Sequence, residues 1–197
     1  MRLTLNELQV PPLQPVSLTV DGGECVGLSG ASGSGKSRLL RAIADLDPAD
    51  GGMSLDGQPS RDMPAPAWRR RVRLVPAESH WWADRVDEHF EAPPGAGDLE
   101  ALGLAGVDLS VDPASLSSGE RQRLALLRAV LPGPACLLLD EPTANLDEDS
   151  VARVELWLAG YRERGMAMIW VSHDPEQIER VADRAYRLRA GLLEPVA

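Results

Sequence analysis

Two cysteines in 197 residues, Cys25 and Cys136, are too few for a disulfide framework. Both stand in apolar runs that read as buried strands, and such sparse usage fits a reducing cytosol. A basic excess is missing as well, since the formal net charge is −10. A surface that neutralises the phosphates of a duplex needs the opposite balance, so bulk nucleic-acid binding is disfavoured. The local basic run Arg69-Arg70-Arg71 reads as the solvated face of a short helix or turn. No stretch approaches the roughly 18–20 apolar residues of a spanning helix. Residues 1–7 lack the apolar core of a secretory signal. Work at a membrane would therefore need a partner to hold the chain there. Residues 1–29 hold no Phe, Tyr or Trp, and no internal repeat or low-complexity tract is evident.

The remainder is ordinary globular material: 44% hydrophobic and 25% charged residues, enough for one α/β domain with a substantial core. Residues 1–29 read as β-rich. Val16 to Val20 alternates, Asp21-Gly22-Gly23 turns, and Cys25–Leu28 is a short apolar strand. A helix is expected from Lys36 towards Asp45, ended by Pro48 to Gly52, before a strand at Met53–Leu55 and a turn at Asp56-Gly57. Val72–Pro76 reads as a strand. Helix is expected over Gly119–Val130, Val151–Leu158 and Pro175–Val181, and buried strand over Ala135–Leu139 and Ala167–Val171. Strands alternating with helices imply a mainly parallel sheet. Residues 78–115 differ, with two tryptophans, a Pro-Pro pair and weak periodicity, and read as an inserted, partly helical segment.

The chemistry begins at Gly30-Ala31-Ser32-Gly33-Ser34-Gly35-Lys36-Ser37, a full match to G-x-x-x-x-G-K-[ST] between a strand and a helix. Its glycines let backbone N–H groups converge on phosphate oxygens at the helix N-terminus. Lys36 is placed for the β/γ-phosphates and Ser37 for Mg²⁺, and Arg38 is counted with the nucleotide-contacting residues. A second acidic site ends the run Leu137-Leu138-Leu139-Asp140-Glu141. Beside a phosphate loop, Asp140 suits Mg²⁺ opposite Ser37, and Glu141 suits a base that polarises attacking water.

Leu116-Ser117-Ser118-Gly119-Glu120, followed by Arg121-Gln122-Arg123, resembles the LSGGQ-type signature of ATP-binding cassette (ABC) ATPases, with Ser118 in place of the first glycine. Pro142–Asp147, with Asn145, Leu146 and Asp147, resembles the family's D-loop, and Val171-Ser172-His173-Asp174 its switch histidine. The order of the motifs also matches. The resemblance implies the P-loop NTPase fold of the ABC type: a mainly parallel sheet flanked by helices, an N-terminal antiparallel β portion and a helical subdomain. The latter, at 78–115, is shorter than usual, and residues 1–77 and 116–197 form the nucleotide-binding core. It further implies hydrolysis of ATP with Mg²⁺, carried by Lys36, Glu141 and His173. Two subunits, identical or different, would pair head to tail, the Ser117 loop of one meeting ATP on the other. A separate transmembrane permease would hold the pair at the cytoplasmic face of the membrane. No regulatory domain is expected after the last motif.

The sequence departs from the family pattern in two places that bear on mechanism. Ala77 stands where a magnesium-contacting glutamine is usual, with Glu78 next to it. No adenine-stacking aromatic precedes the phosphate loop, so the base is left to aliphatic groups near Val10–Leu13. Trp81 and Trp82 lie in the stretch that resembles the permease-facing one; an exposed docking groove and packing within the trimmed segment both remain open. Two other readings compete with a transporter role. A chromosome- or translation-type ATPase is disfavoured by charge and by the lack of coiled coil or second cassette. A slow binding switch is suggested by Ala77 and Ser118 but opposed by intact Lys36, Asp140, Glu141 and His173.

Overall fold

The computed structural model describes residues 1–196. Its centre is a six-stranded sheet built from β3 (Cys25–Gly30), β6 (Val72–Val75), β7 (Cys136–Asp140), β8 (Ala167–Val171), β9 (Arg184–Arg189) and β10 (Leu192–Val196). The order is β10-β9-β3-β8-β7-β6, and only the β9–β10 hairpin is antiparallel. A separate antiparallel sheet, ordered β2-β1-β4-β5, uses β1 (Arg2–Gln9), β2 (Val16–Asp21), β4 (Asp50–Leu55) and β5 (Gln58–Pro59).

Period-2 alternation in the parallel strands supplies two cores at once. Val26, Leu28, Cys136, Leu138, Ile169 and Val171 face the first core, shared with the antiparallel sheet and with α1 (Lys36–Ile43). Their neighbours Cys25, Leu137, Leu139, Met168 and Trp170 face the second. There they meet α4 (Ser118–Val130), α5 (Glu148–Glu163) and α6 (Pro175–Val181). Gly27 belongs to this second face, and a Cβ there would lie 2.6 Å from Ile178 Cγ2. The missing side chain is what lets α6 sit directly on β3. Both cysteines are buried and free, and burial pushes each thiol up to about 12, so neither offers a reactive thiolate.

The expected strands and helices are present, with three differences. α1 stops at Ile43 rather than Asp45, where Trp68 of the short α2 (Ala65–Arg71) donates its indole N–H to the Ile43 carbonyl at 2.9 Å. β4 begins at Asp50, because Gly51 adopts φ +98°, which lets the strand start inside the expected turn. α5 runs from Glu148 to Glu163, twice the stretch that periodicity marks. Within 78–115 the regular structure is one six-residue helix, α3 (Ala96–Ala101), with single 3₁₀ turns at Asp87–His89 and Pro113–Ser115.

Candidate active site

Parallel strands deliver their loops to one edge, and ligands bind at that carboxyl end in open α/β sheets. β3 ends in the phosphate loop, β7 in Asp140-Glu141, and β8 just before His173. Register does the alignment, since Asp140 pairs with Val171 and the Glu141 amide donates to the Val171 carbonyl at 3.1 Å.

In the phosphate loop Gly30, Gly33 and Gly35 have φ of +148°, +75° and +107°. A Cβ on Gly35 would also come within 2.8 Å of Leu13 Cδ2, so the turn is closed to larger residues. Lys36, 9% exposed, folds back and donates from Nζ to the carbonyls of Gly30 (2.8 Å) and Ala31 (3.1 Å). The Ser34 hydroxyl is buried without a partner, a polar atom left over in a cradle of N–H groups at a helix start. Ala31, Ser32 and Ser37 are exposed at the rim. Arg38 points elsewhere: its guanidinium donates to the Pro11 carbonyl, tying the loop at 10–13 to α1. In that loop Val10 and Leu13 are buried in the core while Pro11 and Pro12 are exposed, so the prolines are the aliphatic surface open to a base.

Asp140 is 7% exposed, and burial raises its carboxyl pKa; hydrogen bonding from Ser37 opposes this, Glu141 adds to it, and Lys36 opposes it. A largely desolvated carboxylate with Ser37 at hand fits a divalent cation that supplies the missing positive charge. Mg²⁺ takes few protein ligands beside water and phosphate oxygens, so Ser37 and Asp140 suffice chemically. Ala77 adds no ligand, since a methyl group has no donor or acceptor.

Glu141 stands in the left-handed region at φ +50°, which costs a non-glycine residue about 1–2 kcal/mol. Its Oε2 lies 2.7 Å from His173 Nδ1. The base and the switch histidine named from sequence thus touch each other at the mouth of the phosphate loop.

The signature residues form a separate group at the start of α4. Ser117 caps the helix: its hydroxyl accepts from the Glu120 amide (3.2 Å) and donates to Glu120 Oε2 (2.7 Å), while its own amide donates to the same oxygen (2.8 Å). Those bonds, the hydroxyl first, lower the Glu120 carboxyl pKa. Leu116 is half-buried and Ser118 exposed; Gly119 packs on Leu146, whose Cδ2 would lie 3.3 Å from a Cβ. Asp147 caps α5 by accepting from Ser150 N (2.8 Å) and Oγ (2.9 Å), and Asn145 is exposed just before it. Among the described residues no hydrogen bond joins 116–120 to 30–38.

Trp81 and Trp82 differ in exposure. Trp81 packs against the second core, while Trp82 is 72% exposed. Both rings flank His89, at centroid distances of 4.8 and 4.6 Å, and Arg128 lies 4.5 and 4.8 Å from them. Burial, with Arg73 nearby, lowers the Arg128 pKa to about 10. His89 accepts from the Trp82 and Ala83 amides through Nε2, so its proton sits on Nδ1 and is donated to the Arg85 carbonyl. Beside them opens a groove of about 420 Å³, lined by Leu74, Val75, Ser79, Trp82, Phe90 and Arg128 among others. His89 and Arg128 escape sequence reasoning because a lone histidine and a helix-end arginine carry no spacing signal.

A phosphate loop at a parallel-sheet edge, with an acidic strand end and a histidine beside it, defines a P-loop nucleotide hydrolase. The family model described as "ABC transporter" matches residues 13–144. The chain is similar to the lipoprotein-releasing system ATP-binding protein LolD of Bordetella pertussis, 38% identical over 95% of this chain and 89% of that protein. A probable anion import ATP-binding protein of Haloferax volcanii is 34% identical over 91% of this chain and 72% of its own length. The macrolide export ATP-binding/permease protein MacB of Syntrophobacter fumaroxidans is 34% identical over 97% of this chain, which spans 30% of that protein. In fold it is similar to a bacterial Atm1-family ABC exporter with ATP bound (TM-score 0.84, 21% identity, 98% of this chain, 37% of that one). An ATP binding subunit of an ABC transporter gives 0.82 at 23% identity, over 98% and 88% of the chains. The chain belongs to the ABC transporter family as an ATP-binding cassette, and its enzymatic activity is ATP hydrolysis. Among the described residues no helix is long and apolar enough to cross a membrane.

Proposed function

We propose that this chain is the motor subunit of a transporter whose membrane-spanning permease is a separate chain, and that it works as a head-to-tail pair. The observation that carries the reading is the division of the site into two halves. Lys36, Ser37, Asp140, Glu141 and His173 gather at one sheet edge, while the Ser117 loop, its own amide bonded to Glu120, makes no hydrogen bond to them among the described residues. A second copy, identical or related, supplies the missing half.

In this reading Lys36 leaves the carbonyls of Gly30 and Ala31 to meet the β/γ-phosphates, and the Ser34 hydroxyl gains the partner it lacks. Mg²⁺ held by Ser37 and Asp140 would neutralise charge on the phosphates. Glu141 accepts a proton from the attacking water, and His173 holds that carboxylate in place through Nδ1. Ser117 and the first amides of α4 close on the terminal phosphate from the opposite subunit. Residues 78–115 act as the trimmed helical subdomain, and exposed Trp82 offers the docking surface that places the protein on the cytoplasmic face through its permease.

Steady-state hydrolysis of wild type and Glu141→Gln tests the core of this. We expect the variant to lose at least about a hundredfold in kcat while still binding ATP, and to run as a dimer on sizing with ATP and Mg²⁺. An unchanged rate removes Glu141 from its role. Monomers at high protein concentration with ATP and Mg²⁺ would exclude an autonomous homodimer.

A further inference from the structure

We infer that two buried glutamines, Gln122 and Gln177, are positioning residues that clamp the strained turn carrying Glu141. The inference rests on Glu141 acting as the base. Glu141 needs a left-handed backbone that its own side chain does not favour, so the neighbouring residues must hold the turn. The next two residues, Pro142 and Thr143, are both buried, and each is gripped from a different helix.

Gln122, 6% exposed on α4, donates from Nε2 to the Pro142 carbonyl at 3.2 Å. Gln177, 5% exposed on α6, donates from Nε2 to Thr143 Oγ1 at 2.8 Å, and the Thr143 hydroxyl faces Gln177 Oε1 at 3.3 Å. The amide orientation of Gln177 is set from its far side, because the same Nε2 also donates to Glu155 Oε1 at 2.9 Å. Glu155 is fixed in turn by both arms of Arg180, at 2.9 and 2.8 Å. Proline's carbonyl can only accept, which sets the orientation of Gln122 too.

The helices involved are not arbitrary. α4 is capped by Ser117, so Gln122 lies about one and a half turns below the residues proposed to meet the second subunit. α6 begins at Pro175, two residues after His173, so Gln177 lies about one turn below the histidine that touches Glu141. A shift of either helix is transmitted to the turn through one buried hydrogen bond. Leaving a buried amide unpaired is costly, so the helix and the turn move together. The turn carrying the base is therefore tied to two helices, one following the histidine that touches Glu141 and one led by the signature proposed to face the second subunit.

Thr143→Val is the sharp test, because it keeps the shape and removes only the hydroxyl; Thr143→Ser restores the hydroxyl. We expect Thr143→Val, Gln177→Ala and Gln122→Ala to lower kcat roughly ten- to hundredfold, since small misplacements at a reacting centre cost that much. KM for ATP and the affinity for a non-hydrolysable analogue should stay within about twofold, and Thr143→Ser should recover most of the rate. A merely structural role would move melting temperature and nucleotide affinity along with kcat, and that result overturns the clamp. So does an unchanged kcat in Thr143→Val while Glu141→Gln is inactive, which spares the base and rejects only the clamp. An active Glu141→Gln would instead remove the base on which both depend.

Discussion

The nucleotide corner, whose helix α1 packs on the first core, and the segment 78–115, which packs on the second, are held by different means. At the corner, backbone sets the frame and two buried glutamines brace it: parallel register sets Glu141 against Val171, and glycines shape the phosphate loop. In the segment, side chains replace the missing ladders. His89 takes up the amides of Trp82 and Ala83, and Asp98 accepts from Trp157 Nε1 (2.9 Å) and the Tyr161 hydroxyl (3.0 Å). Arg128 reaches the His80 carbonyl, and Val86, Leu102 and Leu104 fill the space beneath. A backbone-built site tolerates little movement and suits chemistry that fails on small displacements. A segment pinned by a few polar anchors can be shortened or reshaped without disturbing that chemistry.

The largest expected effect tests whether the corner depends on one charge. Lys36→Ala should abolish detectable turnover, a loss of about a hundredfold or more, with the melting temperature little changed. Among the described residues its ammonium bonds only carbonyls of its own loop, so the fold loses little. Retained turnover would mean the phosphates are held elsewhere. Next comes Gly27→Val, which drives a side chain into Ile178 and Ala182. Overpacking of this kind costs about 1–3 kcal/mol, and because α6 carries His173's flank, turnover should fall along with stability in denaturant melts.

Asp98→Ala probes the other region. Removing the shared acceptor leaves the Trp157 and Tyr161 donors unpaired and should cost about 1–2 kcal/mol by urea unfolding. The rate of the folded protein without permease should remain within about twofold of wild type. A collapse in rate would show that the segment and the corner are not separable.

That same contrast explains how far the sequence is legible. Strands with apolar runs and a phosphate loop flanked by strand and helix announce themselves by period and spacing, so β3, β7 and β8 and their loops are readable. β9 and β10 are not, because Arg184, Arg187, Arg189 and Glu194 interrupt the apolar pattern of a hairpin that lies at the sheet edge. Gln122 and Gln177 escape notice because their partners, Pro142 and Thr143, are 20 and 34 residues away. Gln122 does leave one trace: it stands four residues before Leu126 on a buried helix face, where a polar side chain needs a partner. Positions set by local pattern are accessible; positions set by packing between helices are not.

The smallest effect on the fold is also the one that separates the two halves of the site. Ser117→Ala removes a helix cap worth about 1 kcal/mol or less, since Glu120 keeps its bond from the Ser117 amide. Glu120 has its folded pKa lowered from the ordinary 4.5, chiefly by the Ser117 hydroxyl. It therefore contributes stability that is present above pH about 4.5 and is lost as pH falls through the lower folded value. Ser117→Ala should therefore lose that stability near neutral pH, and the gap to wild type should close as pH falls through the lower folded value. ATP-driven pairing should respond far more strongly, because the hydroxyl lost is one proposed to meet the terminal phosphate on the opposite subunit. Sizing with ATP and Mg²⁺ in a Glu141→Gln background reads this directly. A dimer as tight as that of the single variant would mean that Ser117 serves only its own helix.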